Sequence, residues 1–176
     1  MINFSTDGPF YNDIESRGYT VIPNALNKEL IANLMADCYR INPHFSHAGI
    51  GRLNHLHIDD NIRQDKTYWF HGSSQAPLTY LAVMESIRTT LNRTFFMGLF
   101  DYECHYAKYT HGDFYKKHVD AFKGRSNRVF TSVLYLNTPN AGGELVIYKP
   151  KSKVVEVSIS PEAGTLVLFE SQRFVH

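Results

Sequence analysis

The sequence predicts a mostly β protein in which N-terminal helices pack on one of two antiparallel sheets. Helical periodicity is confined to the first half of the 176 residues, and short apolar runs follow one another from residue 94 onward. The turns between those runs contain Gly, Pro, Asn and Asp. Short strands joined by polar turns are typical of a double-stranded β-helix, or jelly roll. We predict one domain over 1–176, with helical support and a long loop over 1–93 and the jelly-roll core over 94–176.

Three helices are predicted in the supporting half. The first covers Phe10–Arg17 and ends at Gly18, and the second begins after Asn27, a residue type that caps helix N-termini well. The third covers Pro77–Leu91, where apolar residues recur on one stripe. A β-type run, Tyr19–Ile22, separates the first two helices.

A long polar segment, Asn42–Asp65, interrupts the supporting half. It contains Pro, Gly, Asn and charged residues together with four histidines, whose spacing matches no standard zinc site. We therefore predict a mobile loop, and loops of this length often close over a ligand. β character resumes at Ile62–Trp69.

The core half is predicted to contain six strands. Turn residues that favour reversal of the chain separate them. The predicted strands are Phe95–Lys108, Phe114–Phe122, Arg128–Asn137, Glu144–Tyr148, Val154–Ile159 and Thr165–Glu170.

Composition argues against several classes of function. The formal net charge is +1 at pH 7, which provides no electrostatic reason to expect a nucleic acid or an acidic membrane as a partner. Two cysteines, Cys38 and Cys104, cannot form a disulfide framework, so we expect a reducing cytoplasm. Neither a run of 18 uncharged apolar residues nor an export signal is recognisable, and no membrane span is predicted.

The chain contains three His-x-Asp motifs, which begin at His57, His111 and His118. Residues two apart on a β-strand point to the same face, so a His and an Asp at this spacing can hold one ion. Only the motif at His118 lies in a β-rich run that is followed by several strands and then by a further histidine. We predict that His118, Asp120 and His176 form the two-His-one-carboxylate triad of non-haem Fe(II) sites, although Zn, Mn, Co and Ni accept the same ligands.

Several longer stretches resemble one enzyme family. They are the runs Tyr109–Asp120, Arg128–Asn137 and Gly142–Leu145. Together they resemble the catalytic core of the Fe(II)- and 2-oxoglutarate-dependent prolyl hydroxylases, most closely the cytosolic oxygen-sensing branch and its bacterial relatives. Ile62–Trp69 is similar to the strand that follows the mobile substrate loop of that branch, so the likeness covers about residues 15 to 176.

The resemblance implies roles for individual residues beyond the three metal ligands. Tyr109 and Tyr135 would line the 2-oxoglutarate pocket, with Tyr135 donating a hydrogen bond to the distal carboxylate. Arg63, Tyr115 and Arg128 would face the substrate. From the residues alone, the two tyrosines could equally be packing residues of the roll, and Arg128 could be a solvent-facing strand charge.

By the same resemblance the activity would be hydroxylation of a prolyl residue in a cytosolic protein, with release of succinate and carbon dioxide. Fe(II), 2-oxoglutarate and O2 would be required, and ascorbate is a further candidate cofactor. Loop Ser46–Asn61 would close over a proline-containing peptide, such as a segment of a transcription, translation or ribosomal protein. Asp120 favours hydroxylation, because related halogenases carry a small residue there.

One feature departs from the family pattern. The family places a basic residue about eight to ten positions beyond the second triad histidine, where it binds the distal carboxylate of 2-oxoglutarate. The sequence stops at His176. We expect that the chain is truncated and lacks the last strand of the roll.

Two alternatives to prolyl hydroxylation remain open. The same chemistry could act on a free amino acid or small metabolite, although the long Ser46–Asp65 loop argues for a larger substrate. A non-catalytic jelly-roll module that binds a metal or a 2-oxo acid is the other alternative.

Overall fold

A computed structural model describes residues 9–50, 57–71, 74–120 and 128–176. Its helices are α1 (Pro9–Arg17), α2 (Lys28–Arg40) and α3 (Gln75–Phe95), and a short 3-10 turn covers Asn42–His44. Its strands are β1 (Tyr19–Ile22), β2 (Ser46–His47), β3 (Lys66–Trp69), β4 (His105–Lys108), β5 (Phe130–Leu134), β6 (Leu145–Tyr148), β7 (Val155–Ile159) and β8 (Leu166–Glu170). No helix in these ranges is both long and apolar enough to cross a membrane.

The starts and stops of the helices follow local sequence signals. The Asn27 side chain accepts a hydrogen bond from the backbone N–H of Leu30 (2.8 Å) and so caps α2 as predicted. At the end of α1, Gly18 takes a left-handed conformation (φ +79°) and donates to the carbonyl of Ile14 (2.9 Å). α3 is longer than predicted and stops at Phe96, which is also left-handed.

The predicted strand Phe95–Lys108 is wrong in its first part. α3 continues to Phe95, and β4 begins only at His105. Between them, the side chain of Asn92 accepts from the N–H of Leu99 and donates to its carbonyl, at 2.7 Å in each case. These bonds fold the chain back onto the last turn of α3, so it cannot enter the sheet there.

The strands form antiparallel groups that join distant parts of the chain. β8 lies between β1 and β5, β3 lies between β2 and β4, and β6 pairs with β7. The fold is a double-stranded β-helix with helices packed on one sheet, which confirms the predicted class.

Strand β8 is buried on both faces. Leu166 and Leu168 belong to the core cluster that includes apolar residues of all three helices. Val167 and Phe169, which point the other way, pack with residues of β6 and β7. The β1-β8-β5 sheet is therefore a middle layer, and the odd-numbered side chains of β8 face the interior of the roll.

The predicted strand Phe114–Phe122 is wrong for its described part, and its last two residues lie outside the described ranges. An isolated bridge joins Arg63 to Tyr115. Three residues later, His118 and His176 exchange two backbone hydrogen bonds, of 2.9 and 3.0 Å. The segment changes its pairing partner too quickly for a regular ladder to form.

The predicted loop over Asn42–Asp65 has an ordered base. β2 pairs with β3, and the backbones of Ile50 and His57 exchange hydrogen bonds of 2.8 and 3.0 Å. β3 is shorter than the predicted run Ile62–Trp69, because the N–H groups of Ile62 and Arg63 bond to the carbonyl of Asp59 in a turn (2.9 and 3.1 Å). Residues 51–56 lie outside the described ranges.

Candidate metal centre

Side chains from two distant parts of the chain converge beside the end of β8. The reciprocal backbone bonds between His118 and His176 are those of an antiparallel hydrogen-bonded pair, which places both side chains on one face. Nε2 of His118 lies 3.3 Å from Oδ1 of Asp120, and Nε2 of His176 lies 4.0 Å from Oδ2. The three candidate ligand atoms all lie within 4.8 Å of one another.

Both imidazoles are oriented through their other ring nitrogen. Nδ1 of His118 lies 2.9 Å from the carbonyl oxygen of Lys116, and Nδ1 of His176 lies 3.5 Å from that of Phe174. An Nδ1–H that donates to a carbonyl leaves the lone pair of Nε2 free for a metal. The two lone pairs are thus available on the side where the carboxylate lies.

A column of side chains fixes the plane of the His118 ring. Tyr115 stacks on it, with ring centroids 3.6 Å apart and planes at 18°. The guanidinium of Arg63 lies over the Tyr115 ring at 4.1 Å and binds both carboxylate oxygens of Asp65, at 2.8 and 2.6 Å. Asp65 is fully buried, so this two-point ion pair anchors the column inside the fold.

The protonation states of Asp120 and His176 suit a metal at neutral pH. Burial by itself raises the pKa of Asp120, but the adjacent His118 ring, a hydrogen bond from Thr131 and nearby positive charge outweigh it and hold that pKa well below its usual range. Burial lowers the pKa of His176 to about 4, and the adjacent His118 acts in the same direction. Metals bind an ionised carboxylate and neutral imidazoles.

These donors fit Fe(II). Two imidazole nitrogens and one carboxylate oxygen are the ligand set of the facial triad, which leaves the opposite side of a six-coordinate ion open. Within the described ranges, no other group of three or more His, Cys, Asp or Glu residues brings its ligand atoms together in this way.

The two tyrosines predicted for the co-substrate pocket lie in one neighbourhood. Tyr109 is half exposed, and Tyr115 and Tyr135 lie near enough to contribute to the raised pKa of its phenol. The Tyr135 hydroxyl donates to the carbonyl oxygen of Gly143 (3.3 Å). Burial raises the pKa of Tyr135 to about 12, so the phenol keeps its proton, which it can donate to a carboxylate only in place of the Gly143 carbonyl. Contact of either tyrosine with 2-oxoglutarate stays a prediction.

The two arginines predicted to face the substrate have different surroundings. Nη1 of Arg128 lies 3.4 Å from Oδ2 of Asp120, while its Nη2 lies 2.6 Å from Glu103 at the rim. The Arg63 guanidinium is instead held by Asp65 and the Tyr115 ring. Substrate contact stays a prediction for both, and the position of Arg63 supports a role in orienting His118.

Sequence reasoning missed two hydroxyl residues at the site, Thr131 and Ser171. Thr131 donates to Oδ2 of Asp120 and contacts Ser171 in turn. Alternation along β5 could have identified Thr131, because it shares a strand face with Val133 and Tyr135. No local signal points to Ser171, which follows β8.

A polar cavity of about 320 Å³ lies beside the base of the loop. The residues that line it are His47, Asp60, Gln64, Lys66, Lys108, Thr110 and Asp113. None of them belongs to the triad, so the cavity is a feature separate from the metal centre.

Comparison with known proteins identifies the family. The model of the 2OG-Fe(II) oxygenase superfamily matches residues 104–176, which include the whole triad. A Pseudomonas putida prolyl-4-hydroxylase is 33% identical, with a TM-score of 0.83, over 94% of this chain and 87% of that chain. No curated protein matches the sequence significantly.

Two further solved structures are similar. A Trichoplax adhaerens prolyl hydroxylase, in complex with a hypoxia inducible factor oxygen degradation domain peptide fragment, is 26% identical with a TM-score of 0.78, over 94% of this chain and 78% of that chain. A viral collagen prolyl hydroxylase from Paramecium Bursaria Chlorella virus-1 shares the fold, at 18% identity and a TM-score of 0.59, over 89% of this chain and 79% of that chain. The chain belongs to the 2OG-Fe(II) oxygenase superfamily and is a prolyl hydroxylase-like, 2-oxoglutarate-dependent dioxygenase that requires Fe(II), 2-oxoglutarate and O2.

Proposed function

We propose that this enzyme hydroxylates a prolyl residue of a cytosolic protein, with release of succinate and carbon dioxide. The observation that carries the proposal is the similarity to a prolyl-4-hydroxylase at 33% identity over 94% of the chain. A second relative, of 26% identity, was solved with a peptide fragment bound.

In this proposal the iron is held by His118, Asp120 and His176. The bound metal supplies the oxidative chemistry, in which 2-oxoglutarate is decarboxylated and a C–H bond of the substrate is hydroxylated. The role of the chain is to bind and orient both organic molecules and to exclude water. Tyr135, which keeps its proton, donates to a carboxylate of 2-oxoglutarate, and Tyr109 lines the same pocket.

The surroundings of the metal centre favour a polypeptide over a small metabolite. Trp69 is 42% exposed and packs against His105, with ring centroids 4.6 Å apart. The pair lies across β3 and β4, and Glu103, two residues before His105, binds Arg128 beside Asp120. The paired base of the Ser46–Asn61 loop borders the same sheet. A sheet that carries an exposed aromatic pair and the base of a long loop suits a polypeptide better than a free amino acid.

The decisive experiment is oxidation of proline-containing peptides by the Fe(II)-loaded protein with 2-oxoglutarate and O2. We expect mass spectrometry to show the gain of one oxygen atom on proline, with an equal amount of succinate. Tyr135→Phe should weaken 2-oxoglutarate binding by about tenfold to a hundredfold, because a hydrogen bond to a charged group contributes about 1.5 to 3 kcal/mol. An anaerobic titration monitored at the visible iron-to-keto-acid absorption band measures that affinity.

Other outcomes would assign a different function. Oxidation of free amino acids, with every peptide unchanged, would favour the metabolite alternative. A protein that binds the metal and 2-oxoglutarate and never turns over would favour the binding module. Complete loss of the absorption band in His118→Ala is the control that ties the signal to this site.

A further inference from the structure

A chain of two hydroxyl groups ends on the carboxylate of Asp120. The Thr131 hydroxyl donates to Oδ2 of Asp120 at 2.6 Å and lies 2.8 Å from the Ser171 hydroxyl. Ser171 is fully buried, and its backbone N–H donates to the carbonyl of Val129 (2.9 Å). The two hydroxyl groups are therefore held at one end by the carboxylate of Asp120 and at the other by the backbone position of Ser171.

The sheet places these two hydroxyls, since Thr131 lies on β5 and Ser171 directly follows the neighbouring strand β8. Thr131 of β5 lies opposite Phe169 of β8 in the register, and Ser171 follows two positions after Phe169. The two hydroxyl residues are thus diagonal neighbours on one face. On the same face, the Phe169 ring contacts the His176 ring at 4.7 Å. Groups delivered by paired strands are positioned more accurately than groups on loops.

The direction of the hydrogen bonds follows from the number of available protons. The ionised carboxylate of Asp120 can only accept, so the single hydroxyl proton of Thr131 is directed to it. The contact between the two hydroxyls must then be donated by Ser171. Hydrogen bonds aligned in one direction strengthen each other, so Ser171 acts on Asp120 through Thr131.

The two oxygens of Asp120 consequently differ. Oδ2 accepts from Thr131 and lies 3.4 Å from Nη1 of Arg128. Oδ1 lies 3.3 Å from Nε2 of His118, a shorter distance than the 4.0 Å between Oδ2 and Nε2 of His176. With Oδ2 engaged, the carboxylate is biased to bind an ion through one oxygen. One-oxygen binding keeps three of six positions open, two for a 2-oxo acid and one for O2.

We propose that Thr131 is a positioning residue which, oriented by Ser171, holds Asp120 as a one-oxygen metal ligand. The inference rests on the proposed function only through the assignment of Asp120 as a ligand. The two hydroxyls have different roles: Thr131 binds the ligand Asp120 directly, and Ser171 acts on it only through Thr131.

The test measures metal affinity without turnover, by titrating Co(II) and following its visible absorption. Outer partners of metal ligands typically contribute 10- to 100-fold in affinity, so Thr131→Val should weaken Co(II) binding by about that factor. Ser171→Ala should have a smaller effect. The double variant should bind no more weakly than Thr131→Val alone, and Thr131→Ser, which keeps the hydroxyl, should restore affinity.

The same sheet offers a matched control in Thr20. This threonine is buried (1% exposed) and donates to an aspartate, Asp13, at 3.1 Å, but it lies on β1 opposite Leu168, on the helix-facing side. Thr20→Val should lower the melting temperature and leave Co(II) affinity unchanged. It therefore separates loss of a buried hydroxyl from loss of ligand orientation.

Three results would overturn the proposal. The first is a Co(II) affinity of Thr131→Val within about twofold of the wild type, and the second is additive effects of the two hydroxyl substitutions. The third is an equal loss of affinity in Thr20→Val. A wild-type protein that binds no Co(II) would overturn the proposal together with the triad, whereas failure of peptide hydroxylation alone would overturn only the proposed function.

Discussion

Two His-x-Asp motifs that follow each other closely in the chain have opposite surroundings. Asp113 accepts hydrogen bonds from the backbone N–H and the hydroxyl of Thr110, at 2.7 and 2.8 Å. Asp120 instead accepts a hydrogen bond from Thr131 and lies near Arg128. Neither of these residues belongs to the segment that contains Asp120. The first carboxylate closes its own turn, and the second joins separate parts of the fold.

The difference shows why the same spacing has two outcomes. A carboxylate that accepts its hydrogen bonds from residues of its own turn stabilises that turn. The third motif behaves like the first, because Oδ1 of Asp59 accepts from the N–H of Asn61 (2.9 Å). A metal ligand requires partners that leave its lone pairs directed at a common point, and only tertiary structure supplies those.

The largest expected contrast is in metal affinity. Asp120→Ala removes a proposed ligand, so it should weaken Co(II) binding by more than about 100-fold, beyond the range that outer partners contribute. Asp113→Ala should bind Co(II) as the wild type does, because its carboxylate binds Thr110 and lines a cavity that contains no triad residue. Titration of both variants under the same conditions checks this. Similar losses in the two variants would remove the distinction between the motifs.

An intermediate effect is expected in the pH dependence of the metal-free protein. The pKa of His176 is lowered by burial from 6.5 to about 4, so between these values the unfolded state binds the additional proton. The free energy of unfolding should therefore fall as the pH decreases through this window, by at most about 3 kcal/mol. Denaturant unfolding at a series of pH values measures the slope.

The control for this slope compares His176 of the triad with Asp113 of the Thr110 turn. His176→Gln should flatten it. Asp113→Ala should leave it unchanged, because hydrogen bonds from Thr110 lower the pKa of Asp113 below 3.8, and the stability that this carboxylate contributes is lost only below the window. A flat profile in the wild type would show that His176 is not held neutral by burial.

The smallest expected effect is on the stability of the Thr110 turn. Asp113→Ala leaves the Thr110 N–H without its acceptor, and we expect the free energy of unfolding to fall by about 1 kcal/mol. Asp113→Asn, which keeps an acceptor oxygen, should recover most of this loss. Chemical denaturation measures both. A loss several times larger would indicate that Asp113 has partners outside its turn.

Sequence alone determined the features that depend on near neighbours. The cap at Asn27 and the stop at Gly18 involve residues three or four positions away, so composition and periodicity reveal them. The choice of the His-x-Asp motif at His118 was also made from sequence, because β-rich context and family resemblance both favoured it, and its metal binding stays a prediction.

Tertiary structure alone decided how the site is supported. His118 does not lie on a regular strand, because its segment pairs first with Arg63 and then with His176. The hydroxyls of Thr131 and Ser171 meet only because β5 and β8 pair in one particular register. Register and pairing partner depend on how whole layers pack over long sequence distances, and no local pattern encodes them.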